Sequence, residues 1–266
     1  AMVVVGAGFI SYFATQIGIP FIFAFIIGII LTGLLGFVLE RTFLRPMVGE
    51  PVFSVAVLTI GIDILLRVVL DNWIGINPKY MGDPFPSYGN FGSLNIGGLT
   101  VKYLEVTALI TSLILISILS VFFKRSKYGV AMRATSLDQE AALAQGINVG
   151  RVFGLVWFIA GLLAAFAGFF ITGGFNTLTN TSFISALRAL PAVVIGGLDS
   201  ITGAIIGSLI IGLTQAYVGY YQFDIESAYN IKLGNGFSIV APYLIMFVIL
   251  LVKPHGLFGT EEVERV

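Results

Sequence analysis

Charged residues are scarce in this chain, so each one inside an apolar run is a candidate for chemistry. Asp63 and Arg67 stand at i and i+4 in the run Val52–Leu70, share a helical face and can pair. A charge near a bilayer centre costs roughly 2.5–3.5 kcal/mol on insertion scales, so both residues must face protein, water or each other. Two readings are open: a polar element beside a solute pathway, or a structural ion pair near the membrane edge that Asp71 and Asn72 mark. Arg188 precedes Pro191 and follows Thr179, Asn180, Thr181, Ser182 and Ser185. It either lines an outer vestibule or holds its own segment in place. Asp199 stands in a Gly-Gly turn, where Asp commonly bonds its local backbone. His255, alone in a charged tail beside Pro254, suggests no chemistry.

The densest charge lies in Lys124–Arg151. Its middle, from about Ser136 to Gln145, carries helix signals. Ser136 with Gln139 has the capping-box spacing, Asp138 and Glu140 suit the first turn, Ala141, Ala142 and Ala144 favour helix, and Gly146 is a stop. Leu137, Ala141 and Ala144, at i, i+4 and i+7, form one stripe of small and apolar residues. Such a segment is either a solvated loop with a surface helix or an amphipathic helix that docks into a partner's groove.

Other chemistry is missing. No Gly-x-x-x-x-Gly-Lys-Ser/Thr is present, so the chain does not bind ATP through a P-loop. No His/Asp/Glu cluster has metal spacing, and no nucleophile–base pair can be placed. Cysteine is absent, which excludes disulfides, thiol catalysis and Cys-based metal sites, and a net charge of zero gives no sign of nucleic-acid binding.

The elements that must position these residues are set by composition. Of 266 residues, 57% are hydrophobic and 11% charged, and the mean hydropathy is +0.99. A soluble domain carries about a quarter charged residues, and only a bilayer can cover this much apolar surface. Backbone groups in hydrocarbon must bond internally, so the long apolar runs are predicted helices: roughly Met2–Ile17, Ile19–Leu39, Val52–Leu70, Tyr103–Phe123, Val152–Ile171 and Phe237–Val252. Phe183–Gly219 is an apolar hairpin broken at Gly196-Gly197-Leu198-Asp199-Ser200. The fold class is therefore all-α, a polytopic integral membrane protein of about seven to eight helical segments including a short Gly-rich hairpin. Residues 1–266 read as a single transmembrane domain, with 124–151 a cytoplasmic loop and 71–102 an extracytoplasmic one. Within the latter, Gly92–Val101 alternates around Gly pairs as a small β-hairpin would. Glu40–Pro51, Lys124–Arg151 and Lys253–Val266 hold nine of the fourteen Lys and Arg. The positive-inside rule puts these segments and the charged tail in the cytoplasm, leaving Tyr220–Asn235 as an outer loop. Gly203 and Gly207, and Ala164 and Gly168, have the small-x-x-x-small spacing that permits close helix approach.

Three ordered blocks resemble the permeases of branched-chain amino-acid ABC importers. Glu140-Ala141-Ala142 followed by Gly146 resembles the EAA loop of importer permeases in general. Tyr128-Gly129-Val130-Ala131-Met132-Arg133-Ala134, leading to Gly146-Ile147-Asn148, resembles this family in particular. Ala192 through Ala204, with Gly196, Gly197, Ser200 and Gly203, is similar to the family's Gly-Gly-x-x-Ser-x-x-Gly-Ala hairpin, and the tail from Lys253 to Val266 is the third block. The tail looks more like the first of the family's two homologous permeases. Two departures stand beside the match: the loop lacks the Leu-Pro that closes it in many other importer permeases, and the family has a further hydrophobic segment and an Ala-His-Gly stretch ahead of residue 1.

The resemblance implies a transport subunit of the inner membrane that is itself no enzyme. Its partners would be a second homologous permease, two ATP-binding subunits that hold ATP and Mg, and an extracytoplasmic substrate-binding protein. The chain would bind no cofactor. Arg133, Ser136, Asp138, Glu140, Ala141, Ala142 and Gly146 would form the coupling element. The rival solutes are urea, short amides or another small polar molecule. The rival class is an ion-driven secondary transporter, for which Asp63 is the candidate carboxylate.

Overall fold

The structure, a computed structural model, describes residues 1–47, 50–74, 79–80, 92–96, 99–173, 177–178, 187, 189–230, 232, 234 and 236–259. It divides into two compact units, Ala1–Phe183 and Ile184–Val266. Among the described residues, five helices are long and apolar enough to cross a membrane, and Met2–Gln16 and Phe237–Val252 are shorter apolar helices. With the short hairpin helix of the second unit, this is the all-α polytopic architecture expected from the apolar runs.

In the first unit α1 (Met2–Ser11) runs into a π-helical turn at Tyr12–Gln16. Helix α2 (Phe21–Leu39) continues through a π-helical turn, Glu40–Leu44, and a short 3₁₀ turn, Arg45–Met47. Then come α3 (Val52–Ile74), β1 (Lys79–Tyr80), β2 (Ser93–Ile96), β3 (Leu99–Lys102) and α4 (Tyr103–Arg125). The unit ends with α5 (Lys127–Leu137), α6 (Gln139–Ala144), α7 (Val149–Gly173) and β4 (Thr177–Leu178).

Helices α1, α2 and α7 form the core. Lipid tails give helices no hydrophobic reason to associate, so close backbone approach through small residues supplies the packing. A Cβ on Gly6 would meet the Ala165 Cα at 2.5 Å, and one on Gly161 would overlap the Thr32 carbonyl. The α7 packing face is therefore Gly161, Ala165 and Gly168, all buried. Ala164, paired with Gly168 by spacing alone, lies one position off it and is half-buried. Phe25 and Phe169 close the seam at 5.1 Å between ring centres. By contrast, α3 and α4 turn Phe53, Ile60, Leu65, Leu109, Leu113 and Ile118 outward, as a lipid-covered surface requires.

The expected hairpin is present: β2 and β3 pair with Asn95 opposite Thr100 and Ile96 opposite Leu99. A second two-stranded pairing, β1 with β4, places Tyr80 opposite Thr177, and the Ser11 hydroxyl donates to the Tyr80 carbonyl at 2.6 Å.

The second unit contains α8 (Ala189–Gly196), α9 (Ile201–Tyr229) and α10 (Phe237–Val252). The described part of α8, eight residues, is about 12 Å long at a rise of 1.5 Å per residue. Helix α9 corrects an expectation, because it continues ten residues past Gly219 into the segment assigned to an outer loop. Hydropathy falls there, but helicity persists through side-chain bonding. Gln222, 5% exposed, donates to the Glu226 carboxylate at 2.9 Å and to the Gly234 carbonyl at 2.6 Å. The helix ends at Asn230, in the left-handed region at φ +52°, where Asn tolerates the backbone.

Candidate functional site

The loop after α4 is two helices. Ser126 caps α5 by accepting the Gly129 N–H at 2.9 Å. The sharp turn from α4 works because residue 129 lacks a side chain: a Cβ there would stand 2.5 Å from the Phe123 carbonyl oxygen. Arg133, exposed, donates to that same carbonyl and so ties α5 back to the end of α4.

The N-cap of α6 is Asp138, whose carboxylate accepts the Ala141 N–H at 3.0 Å. This corrects the expectation that Ser136 caps it. Ser136 lies in the last turn of α5, and its hydroxyl donates to the Arg133 carbonyl at 2.9 Å. Asp138 takes the cap because its backbone is extended (φ −158°, ψ 113°), which breaks the helix one residue after Leu137. The expected stripe is broken with it. Leu137, 88% exposed, and Leu143, 57% exposed, are the large apolar side chains that face out, while Ala142 is buried. Glu140 and Ala141 are exposed. Gly146 has φ +80° with nothing within 4 Å of where its Cβ would be, so it is there for its backbone. Around it the N–H groups of Gly146 and Ile147 bond the Leu143 and Ala142 carbonyls at 2.9 and 3.0 Å and close the helix. Asn148 then caps α7, accepting the Arg151 N–H at 3.0 Å.

Beside α6 lies a cavity of about 470 Å³ whose lining includes Gln139, the first residue of α6, with Glu40, Glu50, Phe153 and Trp157. Glu40 is 1% exposed. Arg45 holds it with two bonds, at 3.2 and 3.1 Å, and also donates to the Gly150 carbonyl at 2.7 Å. This latch joins the end of α2 to the first turn of α7, directly after the loop. It escaped sequence reasoning because i, i+5 residues do not face each other on an α-helix. The π-helical turn Glu40–Leu44 swings the two onto one face.

Asp63 and Arg67 do pair, and both are half-buried at mid-length in α3. Arg188 lies outside the described residues. In the second unit, Ser200 caps α9 by accepting the Gly203 N–H at 3.0 Å. Gly203 packs on the Gly196 carbonyl and Gly207 on the Ala192 carbonyl so closely that a Cβ on either would overlap it. The tail completes this structure: the N–H groups of Leu257 and Phe258 bond the Ile195 and Gly196 carbonyls at 2.8 and 3.1 Å. A Cβ on Gly197 (φ +105°) would stand 2.5 Å from the Gly259 nitrogen. Hairpin and tail, two separate blocks in the sequence, are thus one packed unit.

A family model described as the permease component of the branched-chain amino acid transport system matches residues 1–252. The chain belongs to that family. Among relatives of this permease, the high-affinity branched-chain amino acid transport system permease protein LivH of Salmonella typhimurium is 30% identical over 248 residues, covering 91% of this chain and 75% of that protein. BraD of Pseudomonas aeruginosa, described in the same words, is 27% identical over 244 residues, covering 91% and 76%. A probable LivH from Methanocaldococcus jannaschii is 27% identical over 241 residues, covering 89% and 73%. No solved structure matches the chain. The permease is a multi-pass membrane protein, and its relatives are transport subunits.

Proposed function

We propose that this permease forms the membrane-spanning path of an ATP-driven importer for branched-chain amino acids, with its basic loops and tail in the cytoplasm of a cell-membrane system. The family match over residues 1–252 carries this reading. The α5–α6 element adds a mechanism. It exposes Leu137 at the end of α5, and Glu140 and Leu143 on α6, a helix of six residues with both ends capped, a compact surface suited to a groove on an ATP-binding subunit.

Closure of two such subunits around ATP and Mg would push α6, and α7 would carry the motion because the two helices are in contact. The permease supplies differential contacts that couple two states and hydrolyses nothing itself. A second, homologous permease would complete the path, and an extracytoplasmic binding protein would deliver solute. Arg133, Ser136, Asp138, Glu140, Ala141, Ala142 and Gly146 are the proposed coupling residues. Asp63, Arg67 and Arg188 are proposed pathway residues.

The test is co-purification from native membranes followed by reconstitution. A P-loop ATPase and a second permease should accompany the chain, and proteoliposomes with the binding protein should take up leucine only with internal ATP. Uptake of urea or acetamide in place of leucine would reassign the solute. Uptake by this chain alone on an ion gradient would overturn the class.

A further inference from the structure

We propose that the first unit carries a binding site for one anionic phospholipid, at the level where α2, α4 and α7 meet the basic side of the membrane. A cavity of about 770 Å³ there is lined by Arg41, Arg45 and Arg151 together with Phe37, Phe122 and Phe158. Three apolar spans converge at this level. Arg41 is two residues past the end of α2, Phe122 is in the last turn of α4, and Arg151 is in the first turn of α7. That is headgroup depth.

Among the described residues, the charges are not fully balanced by protein. Glu40 neutralises Arg45, but no described carboxylate lies within ion-pair distance of Arg41 or Arg151, and both are exposed. Among the described residues the cavity therefore keeps two guanidinium groups without an ion-pair partner, whose planar donor forks match a phosphodiester. Apart from Asn148, its remaining wall is aromatic and aliphatic, formed by Phe37, Phe122, Tyr128, Leu155 and Phe158. Free phosphate would leave that wall wet, whereas a phospholipid covers it with acyl chain while its phosphate meets the arginines. Basic pockets between spans on the cytoplasmic side suit anionic headgroups for this reason.

The probe is phosphatidylglycerol against phosphatidylcholine of equal chain length, with retention on the full chain in mild detergent read by native mass spectrometry. Wild-type protein should retain phosphatidylglycerol preferentially. The double variant Arg41→Gln/Arg151→Gln should weaken retention about 25-fold, at about fivefold per basic residue near the surface. Arg41→Lys/Arg151→Lys should keep most of it. Lys124→Gln/Arg125→Gln, at the same depth but outside the cavity lining, should leave it unchanged.

Four results overturn the site. Equal retention of the two lipids by wild-type protein does so without any variant. Equal loss in the Lys124/Arg125 control means diffuse surface charge, and displacement by millimolar inorganic phosphate means a free-anion site. Loss of the lipid whenever the ATP-binding partner is bound means the surface belongs to that protein.

Discussion

Replacing Arg45 with Met tests the latch that holds α7. The Glu40 carboxylate is 1% exposed, and Arg45, with its side chain 37% exposed, is its ion-pair partner. Removing one member of a buried pair costs about 3–5 kcal/mol because the other charge is stranded. Solvent reaches Arg45, so the lower end applies, about 3 kcal/mol. The lost bond to the Gly150 carbonyl adds about 1 kcal/mol. Arg45→Met should therefore cost about 4 kcal/mol. Glu40→Gln keeps the shape and an acceptor for Arg45, and should cost about 1–2 kcal/mol. Glu40→Leu/Arg45→Met removes both charges and should fall within about 1 kcal/mol of wild type. Unfolding of the purified chain by SDS in mixed micelles, followed by tryptophan fluorescence, measures all three. If the double variant is as unstable as Arg45→Met, or Arg45→Met costs under about 1 kcal/mol, the carboxylate is not held as described.

Four further perturbations separate local causes. Gly203→Ala drives a methyl into the Gly196 carbonyl and should destabilise by about 1–3 kcal/mol; Gly212→Ala, with nothing within 4 Å of the new Cβ, should be neutral or stabilising in the same titration. Asp138→Ala should raise hydrogen exchange at Ala141 about fivefold, the loss of a cap worth about 1 kcal/mol, while Ser136→Ala leaves it unchanged; equal effects would return the cap to Ser136. At φ +80°, Gly146→Leu is strained by about 1–2 kcal/mol and should lower ATPase co-purification and transport, whereas Gly146→Asn retains both. Glu140→Lys should release the ATPase with membrane insertion intact, and a variant that still co-purifies it removes Glu140 from the docking surface.

The sequence made the spans legible because hydrocarbon demands long apolar helices, and run length reports that demand directly. It also announced the β2–β3 hairpin through its Gly pairs, and the end of α6 through Gly146. It failed where hydropathy and helicity part company. Helix α9 outlasts its apolar stretch because Gln222 and Glu226 bond along it, which no hydropathy window registers. It failed again where a register changes: Glu40 and Arg45 pair only on a π-helical turn, and Asp138 outcompetes Ser136 because the chain straightens at that residue. The α7 packing face was displaced by one residue because spacing fixes a helical period but not its phase. The union of hairpin and tail lies in contacts about 60 residues apart, beyond any local pattern.

That union imposes an order on biogenesis. When α8 emerges, the Ile195 and Gly196 carbonyls have no partners, and α9 can pack its glycines on the hairpin but cannot supply the missing donors. The Leu257 and Phe258 N–H groups are synthesised about 60 residues later, some 3–12 s at ordinary translation rates of about 5–20 residues per second. Throughout that interval the hairpin depends on water, the translocon or a chaperone for the bonds that its own tail will later provide.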